Sequence, residues 1–160
     1  LIHACRRNSD LTVICMNNTI YGMTGGQGSP CTPKRSITTT TPYGMQEQPF
    51  DLCKLAEAAG ANYVARWTSF HVKELTEAIK TGLETPGLAF IEVLAQCPTA
   101  YGNKNKLRQP TQMIERFKNN AVKKNKADRD AAAGIPLEPG KFIVGEFVRR
   151  ANPPLGVVKE

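Results

Sequence analysis

Two adjacent amides and a run of glycines are the part of this sequence best equipped for chemistry: Asn17-Asn18-Thr19-Ile20-Tyr21-Gly22-Met23-Thr24-Gly25-Gly26-Gln27-Gly28. An asparagine amide oxygen is a hard, neutral donor suited to Mg²⁺, which often shares the oxygens of a diphosphate. Glycines immediately beyond it let the backbone come close to a phosphate and offer N–H donors. The same composition also makes ordinary turns, with asparagine in left-handed conformations. Residue types alone leave both readings open. No GxGxxG opens a helix and no GxxxxGK[ST] occurs, so neither the dinucleotide fingerprint nor the P-loop is present.

Other reactive side chains are scattered. The five cysteines, Cys5, Cys15, Cys31, Cys53 and Cys97, are odd in number and irregularly spaced, without a CxxC pair. Local ligands for a zinc knuckle are therefore lacking. Cys15 and Cys53 lie among apolar residues and read as buried thiols. Cys31, close to the glycines, is a candidate for oxidation rather than catalysis. Cys97, taken by itself before Pro98, reads as structural. His3 falls in a predicted helix and His71 at the start of another. Ser69 has no third partner for a triad, and Lys73 falls on a solvent face.

The elements that must position these groups follow from hydrophobic periodicity. Leu11–Met16 is a short apolar, β-branched run and predicts a buried strand of a parallel sheet. Residues 17–48 form a long loop, uncommon in a compact domain unless functional. Residues 49–59 have helical spacing, with Pro49 in the first turn and Gly60 as the stop. Tyr63–Trp67 is a second strand. Ser69 is expected to cap a helix carrying Val72, Leu75, Ile79 and Leu83 on one face. Leu88–Leu94 is the third and most hydrophobic strand. This alternation predicts an α/β fold, a parallel sheet with flanking helices. Beyond Cys97, residues 112–124 predict a basic helix, residues 126–133 a loop or helix end, and residues 141–148 a strand, together forming an extension lying over the sheet.

The chain of 160 residues suits about one domain, and its hydrophobic content of 41% is ordinary for a globular protein. No apolar run approaches the roughly 18 residues of a membrane span. The N-terminus, LIHACRRNSD, starts inside a predicted helix without a Met or a signal-peptide core, which suggests a piece of a longer, cytoplasmic chain. The net charge of +7 is concentrated between Lys104 and Lys126, where eight basic residues accompany one acid, Glu115. Aromatics are sparse there, which disfavours nucleic acid and leaves a solvated helical face or a docking surface for an acidic protein.

The string NNTIYGMTGGQGSPCTP is similar to the thiamine-diphosphate loop of the β subunit of 2-oxoacid:ferredoxin oxidoreductases, the 2-oxoglutarate type in particular. The likeness extends from LIHACRRNSDLTVICMNN through CPTAYGNKNK and more loosely to the C-terminus. It implies a partial thiamine-diphosphate-binding fold of the diphosphate type over residues 1–100, with a basic C-terminal extension at 101–160. The Gly-Asp-Gly that begins the family motif would precede Leu1. Carried over residue by residue, the resemblance places Mg²⁺ on the Asn18 side chain and the Ile20 backbone carbonyl. Tyr21, Gly22, Met23, Thr24, Gly25, Gly26 and Gln27 would line the cofactor, with Asn17 orienting the loop. Cys97, in its CPT context, would complete a [4Fe–4S] cluster with three cysteines absent from this sequence, so the cluster belongs to the intact subunit only.

No catalytic side chain is expected from this chain. The implied reaction is oxidative decarboxylation of 2-oxoglutarate with coenzyme A, giving succinyl-CoA and CO₂ and reducing ferredoxin, with an α subunit completing the site. Branched-chain 2-oxoacids are the second substrate choice, and pyruvate enzymes depart further at this loop. A reading of another class is a non-catalytic basic binding module whose glycine loop is only structural. Neither nucleic acid nor membrane is an expected partner.

Overall fold

A computed structural model describes residues 1–156, so the last four residues of the extension lie outside the described residues. A five-stranded sheet organises the chain, in the order β1 (Leu11–Asn17), β5 (Leu88–Leu94), β4 (Tyr63–Thr68), β7 (Phe142–Arg149), β6 (Ala121–Lys123). β1, β5 and β4 run parallel, with Leu11 opposite Leu88 and Tyr63 opposite Ala89. The expected α/β architecture is therefore present, and the run Leu88–Leu94 is buried throughout except at its last residue. A strand covered on both faces needs such a continuous apolar sequence.

Helices pack on both faces. α1 (Ile2–Arg7) and α2 (Leu52–Ala58) cover one, where Cys5, Cys53, Ala56, Val64, Leu88, Phe90 and Val148 form a core cluster. α3 (Val72–Glu84) covers the other, over Tyr63, Ala65, Ala89, Ile91 and Val93. Cys53 is fully buried as expected, but Cys15 is only half-buried, and Cys5 joins the core instead.

Local details depart from the sequence expectations for identifiable reasons. Pro49 lies before the first turn of α2; Asp51 is the N-cap, and its carboxylate accepts the Lys54 N–H at 3.2 Å. α3 is capped at His71 rather than Ser69, whose hydroxyl donates to the Gln96 side chain at 2.5 Å. The buried face of α3 is set by Ala78 and Gly82, while Val72 and Leu83 are 64% and 69% exposed. Gly82 is the reason. A Cβ there would stand 2.7 Å from Ile91 Cδ1, so small residues let the helix approach the sheet and rotate the larger apolar residues outward.

The chain beyond Cys97 lengthens the sheet instead of lying over it. β7 (Phe142–Arg149) pairs antiparallel with β4, and β6 (Ala121–Lys123) pairs parallel with β7. The sheet is consequently mixed, with its antiparallel pairing between β4 and β7. α4 (Pro110–Asn120) and α5 (Lys124–Ala132) flank this extension, so residues 126–133 are mainly helical. At the opposite edge, β1 leaves Leu11, Ile14 and Met16 exposed, an apolar strand edge of the kind that pairs with further backbone. No helix among the described residues is long and apolar enough to cross a membrane.

Candidate functional site

In open α/β sheets ligands gather at the carboxyl ends of strands. β1 ends at Asn17 and its neighbour β5 at Leu94, and the Ala95 N–H donates to the Asn17 carbonyl at 3.0 Å, tying the two exits together. Asn18 projects from this junction. Its amide NH₂ donates to the Ala95 and Gln96 carbonyls at 3.3 and 3.4 Å. The amide oxygen has no hydrogen-bond partner among the described residues and stays free for a cation.

The turn after Asn18 is tight. Thr19, a β-branched residue, has φ of +61°, a left-handed conformation costly for its type. Both of its backbone groups are held: its N–H donates to Asn17 Oδ1 at 2.9 Å, and its carbonyl accepts from the Thr32 hydroxyl at 2.6 Å. Ile20 is buried against Tyr101 and Met113. β2 (Ile20–Tyr21) and β3 (Gln27–Gly28) then form a small antiparallel ladder.

Between them one bond, Gly26 N–H to the Tyr21 carbonyl at 2.9 Å, closes a wide turn. The N–H groups of Gly22, Met23, Thr24 and Gly25 have no partner among the described residues, which leaves a set of donors fit for an anion. Gly25 and Gly26 take φ of +121° and +81°, conformations that a side chain resists. Thr24 and Gln27 are occupied with each other, through Thr24 Oγ1 to Gln27 Oε1 and Gln27 Nε2 to the Thr24 carbonyl, both at 2.7 Å. Tyr21 and Met23 are exposed, Met23 completely.

Of the predicted residues, Asn18, Ile20, Tyr21, Gly22, Met23 and Thr24 line one cleft, and Gly25, Gly26 and Gln27 do not. A cleft of about 510 Å³ runs along Cys15 to Thr24 and is closed by Ser29, Pro30, Cys31, Phe50 and Leu52. A second, more enclosed cavity of about 330 Å³ shares Asn17, Thr19, Cys31 and Phe50 with it and reaches under α4.

Cys97 stands against the loop: a Cβ on Gly22 would lie 3.0 Å from its sulfur. The chain leaves Cys97 in a π-helical turn, Pro98–Gly102, with the Gly102 N–H bonded to the Cys97 carbonyl at 2.9 Å. Burial pushes the Cys97 thiol up, but the backbone N–H groups of Tyr101 and Ala100 and the Thr99 hydroxyl outweigh it, leaving the thiol below its ordinary value. Stabilised thiolate is what a metal ligand requires. A cubane needs four such donors, and the described residues bring no group of three or more His, Cys, Asp or Glu together. Alone they do not hold a cluster.

The remaining cysteines are held protonated. Burial pushes Cys15 up, and burial with nearby Glu92 pushes Cys31 up to about 11. Cys31 is thus a poor thiolate at neutral pH, which weakens it as an oxidation site. His71 occupies the N-cap position of α3 without a side-chain cap, lies 2.9 Å from the Thr68 hydroxyl through Nδ1, and is pushed down by burial. Lys73 is exposed.

Behind the loop lies a buried polar chain that periodicity did not single out. Glu92, in the middle of β5, is 2% exposed. Its Oε1 accepts from Asn17 Nδ2 at 2.6 Å, and its Oε2 accepts from Arg66 Nε at 2.6 Å and from the Cys53 thiol at 3.5 Å. Arg66 continues to Asp51 Oδ1 at 2.5 Å. Breaking a buried pair of this kind costs about 3–5 kcal/mol. The available signal was an acid and a base inside two otherwise apolar strands.

Residues 1–93 match the family described as "Thiamine pyrophosphate enzyme, C-terminal TPP binding domain". The chain belongs to this family. Within it, this thiamine pyrophosphate enzyme domain is 51% identical over 97% of its length to the 2-oxoglutarate synthase subunit KorB of Methanothermobacter thermautotrophicus, covering 53% of that protein. It is 53% identical over 95% of its length to the KorB subunit of Methanocaldococcus jannaschii, covering 55% of it. The domain spans about half the length of the curated relatives it matches. Among solved structures, the 2-oxoglutarate:ferredoxin oxidoreductase from Magnetococcus marinus, with 2-oxoglutarate, coenzyme A and succinyl-CoA bound, superimposes with a TM-score of 0.77 at 27% identity. The superposition takes in 96% of this domain and 52% of that chain.

Proposed function

We propose that this chain is the diphosphate-binding part of a 2-oxoacid:ferredoxin oxidoreductase β subunit. The reaction of the whole enzyme is oxidative decarboxylation of 2-oxoglutarate with coenzyme A, giving succinyl-CoA and CO₂ and passing two electrons to ferredoxin. The observation that carries this reading is a cleft at the carboxyl end of β1 lined by Asn18, whose amide oxygen has no partner among the described residues, and by Gly22, Met23 and Thr24, whose backbone N–H groups have none either. These donors fit Mg²⁺ and a diphosphate together. The KorB subunits named above support the choice of 2-oxoglutarate.

In this reading Asn18 Oδ1 and the Ile20 carbonyl hold Mg²⁺, and the turn from Tyr21 to Gln27 holds the diphosphate through its N–H groups. Thiamine diphosphate, when bound, supplies the chemistry that cleaves the bond between the 2-oxo carbon and its carboxylate. The chain's own part is to bind and orient, since no general acid or base of this chain is assigned to the reaction. Cys97 provides one thiolate of a [4Fe–4S] cluster whose other ligands come from outside the described residues. An α subunit completes the site, and the enzyme works in the cytoplasm.

Residues 1–100 form the cofactor-binding part and residues 101–160 the basic extension. Lys104, Lys106, Arg108 and Lys118 make no ion pair among the described residues, whereas Lys123, Lys124 and Lys126 are paired with Glu74, Asp128 and Asp130. These exposed, unpaired cations would suit an acidic protein such as ferredoxin.

Substrate choice is tested on the purified complex by measuring kcat/KM for 2-oxoglutarate and for branched-chain 2-oxoacids with coenzyme A and a viologen acceptor. 2-Oxoglutarate should lead by at least about 10-fold, since a site built for a second carboxylate leaves its own polar groups unpaired with other substrates. A lead for branched-chain acids would assign the enzyme to that subgroup.

A further inference from the structure

We infer that Glu92 is a positioning residue for the metal-binding turn, acting through Asn17; this rests on the reading of Asn18 and Ile20 as the Mg²⁺ ligands. Thr19 lies between those two ligands, and its left-handed φ of +61° fixes the direction in which each points. Strained backbone of this type persists only where its surroundings over-determine it. Here two side chains hold it: the Thr32 hydroxyl on the Thr19 carbonyl at 2.6 Å, and Asn17, whose Oδ1 takes the Thr19 N–H at 2.9 Å.

Asn17 can do this in only one amide orientation. Its NH₂ must face away from Thr19, and Glu92 Oε1 receives it there at 2.6 Å. An ionised carboxylate accepts hydrogen bonds and donates none, so it selects that orientation. Glu92 is itself fixed on its other oxygen by Arg66 Nε at 2.6 Å and the Cys53 thiol at 3.5 Å, and Arg66 is anchored by Asp51. The line from Asp51 to Thr19 thus links the start of α2 to β4, β5 and the end of β1, and terminates at the turn. Glu92 is 2% exposed, does not line the cleft along Cys15 to Thr24, and borders only the enclosed cavity behind it; its link to the turn is the hydrogen bond to Asn17.

Glu92→Gln replaces one acceptor oxygen by an NH₂, which confronts a donor on Arg66 or on Asn17. In the full enzyme complex stripped of cofactor, the dissociation constant of thiamine diphosphate at fixed Mg²⁺ should rise by about 10- to 100-fold in Glu92→Gln, the usual effect of losing a residue that orients a metal ligand. Asn17→Ala should show a rise of similar size. The double variant should bind no more weakly than Asn17→Ala, because the two act as one unit. Equal fold-losses that multiply in the double variant, or a folded Glu92→Gln complex with native affinity, would overturn the inference. Should Glu92→Gln fail to fold, Asn17→Ala decides: native affinity there refutes it. Amide hydrogen exchange at Thr19 and Ile20, measured without cofactor, should quicken in both variants; unchanged exchange would count equally against the inference. Failure of the unaltered complex to bind thiamine diphosphate would instead defeat the proposed function, while the exchange comparison would still decide the role of Glu92.

Discussion

Replacing Asn18 by alanine is expected to abolish retention of thiamine diphosphate by the intact enzyme, with affinity falling about 100-fold or more. Mg²⁺ demands near-octahedral oxygen coordination and surrenders its waters reluctantly, so losing one of few protein oxygens is costly. The protein itself should barely notice. The two hydrogen bonds made by the Asn18 side chain are long, 3.3 and 3.4 Å, and Asn18 is only half-buried, so the loss to folding should stay within about 1 kcal/mol. Calorimetric titration of thiamine diphosphate in Mg²⁺ should therefore show weakened binding at an unchanged melting temperature. Asn18→Asp keeps an oxygen donor at the same place and should restore much of the binding. Normal cofactor retention in Asn18→Ala would refute the ligand assignment.

The second large effect concerns Cys97. Cys97→Ala in the intact complex should lower iron and acid-labile sulfide by the content of one [4Fe–4S] cluster and bring 2-oxoacid-dependent ferredoxin reduction down to the assay blank. Cys97 stands at the N-terminus of the turn Pro98–Gly102, whose backbone N–H groups, with the Thr99 hydroxyl, hold its thiol below the ordinary value. N–H donors on a ligating sulfur also tune the potential of a cluster. Gly22 matters to the same contact: a Cβ at 3.0 Å from that sulfur would push the turn that follows Tyr21 and Cys97 apart. Full iron content in Cys97→Ala would remove Cys97 from the ligand set.

Much of the frame was legible in the residues alone. Leu88–Leu94 announced the most hydrophobic strand, and it is buried on both faces; Leu11–Met16 announced a strand too, but the burial expected of it is absent, because it forms the sheet edge with Leu11, Ile14 and Met16 exposed. The Asn-Asn and glycine string was legible from its residues only as a turn, because the same residue types suit a phosphate loop and an ordinary bend; the resemblance to a thiamine-diphosphate loop is what separated the two.

What escaped were relations between distant residues. The face of α3 turned on Gly82, whose contact with Ile91 no periodicity reveals. β7 entered the sheet beside β4, a pairing between Val64 and Val148 that local pattern cannot specify. Glu92 and Arg66 each looked like an isolated charge in an apolar run, and only the register of β4 on β5 sets Arg66 opposite Glu92. Buried charges in two neighbouring strands must find each other, because neither could be desolvated alone.

The most direct measurement is reconstitution of the purified intact complex, stripped of cofactor and metal, with 2-oxoglutarate and coenzyme A as substrates and ferredoxin or a viologen as acceptor. Reduction should be absent at the start, unrestored by thiamine diphosphate or Mg²⁺ alone, and recovered when both are supplied, with succinyl-CoA as the product. Full activity without the cofactor, or no reduction with any 2-oxoacid after reconstitution, would contradict a diphosphate-binding role for the turn that begins at Asn18.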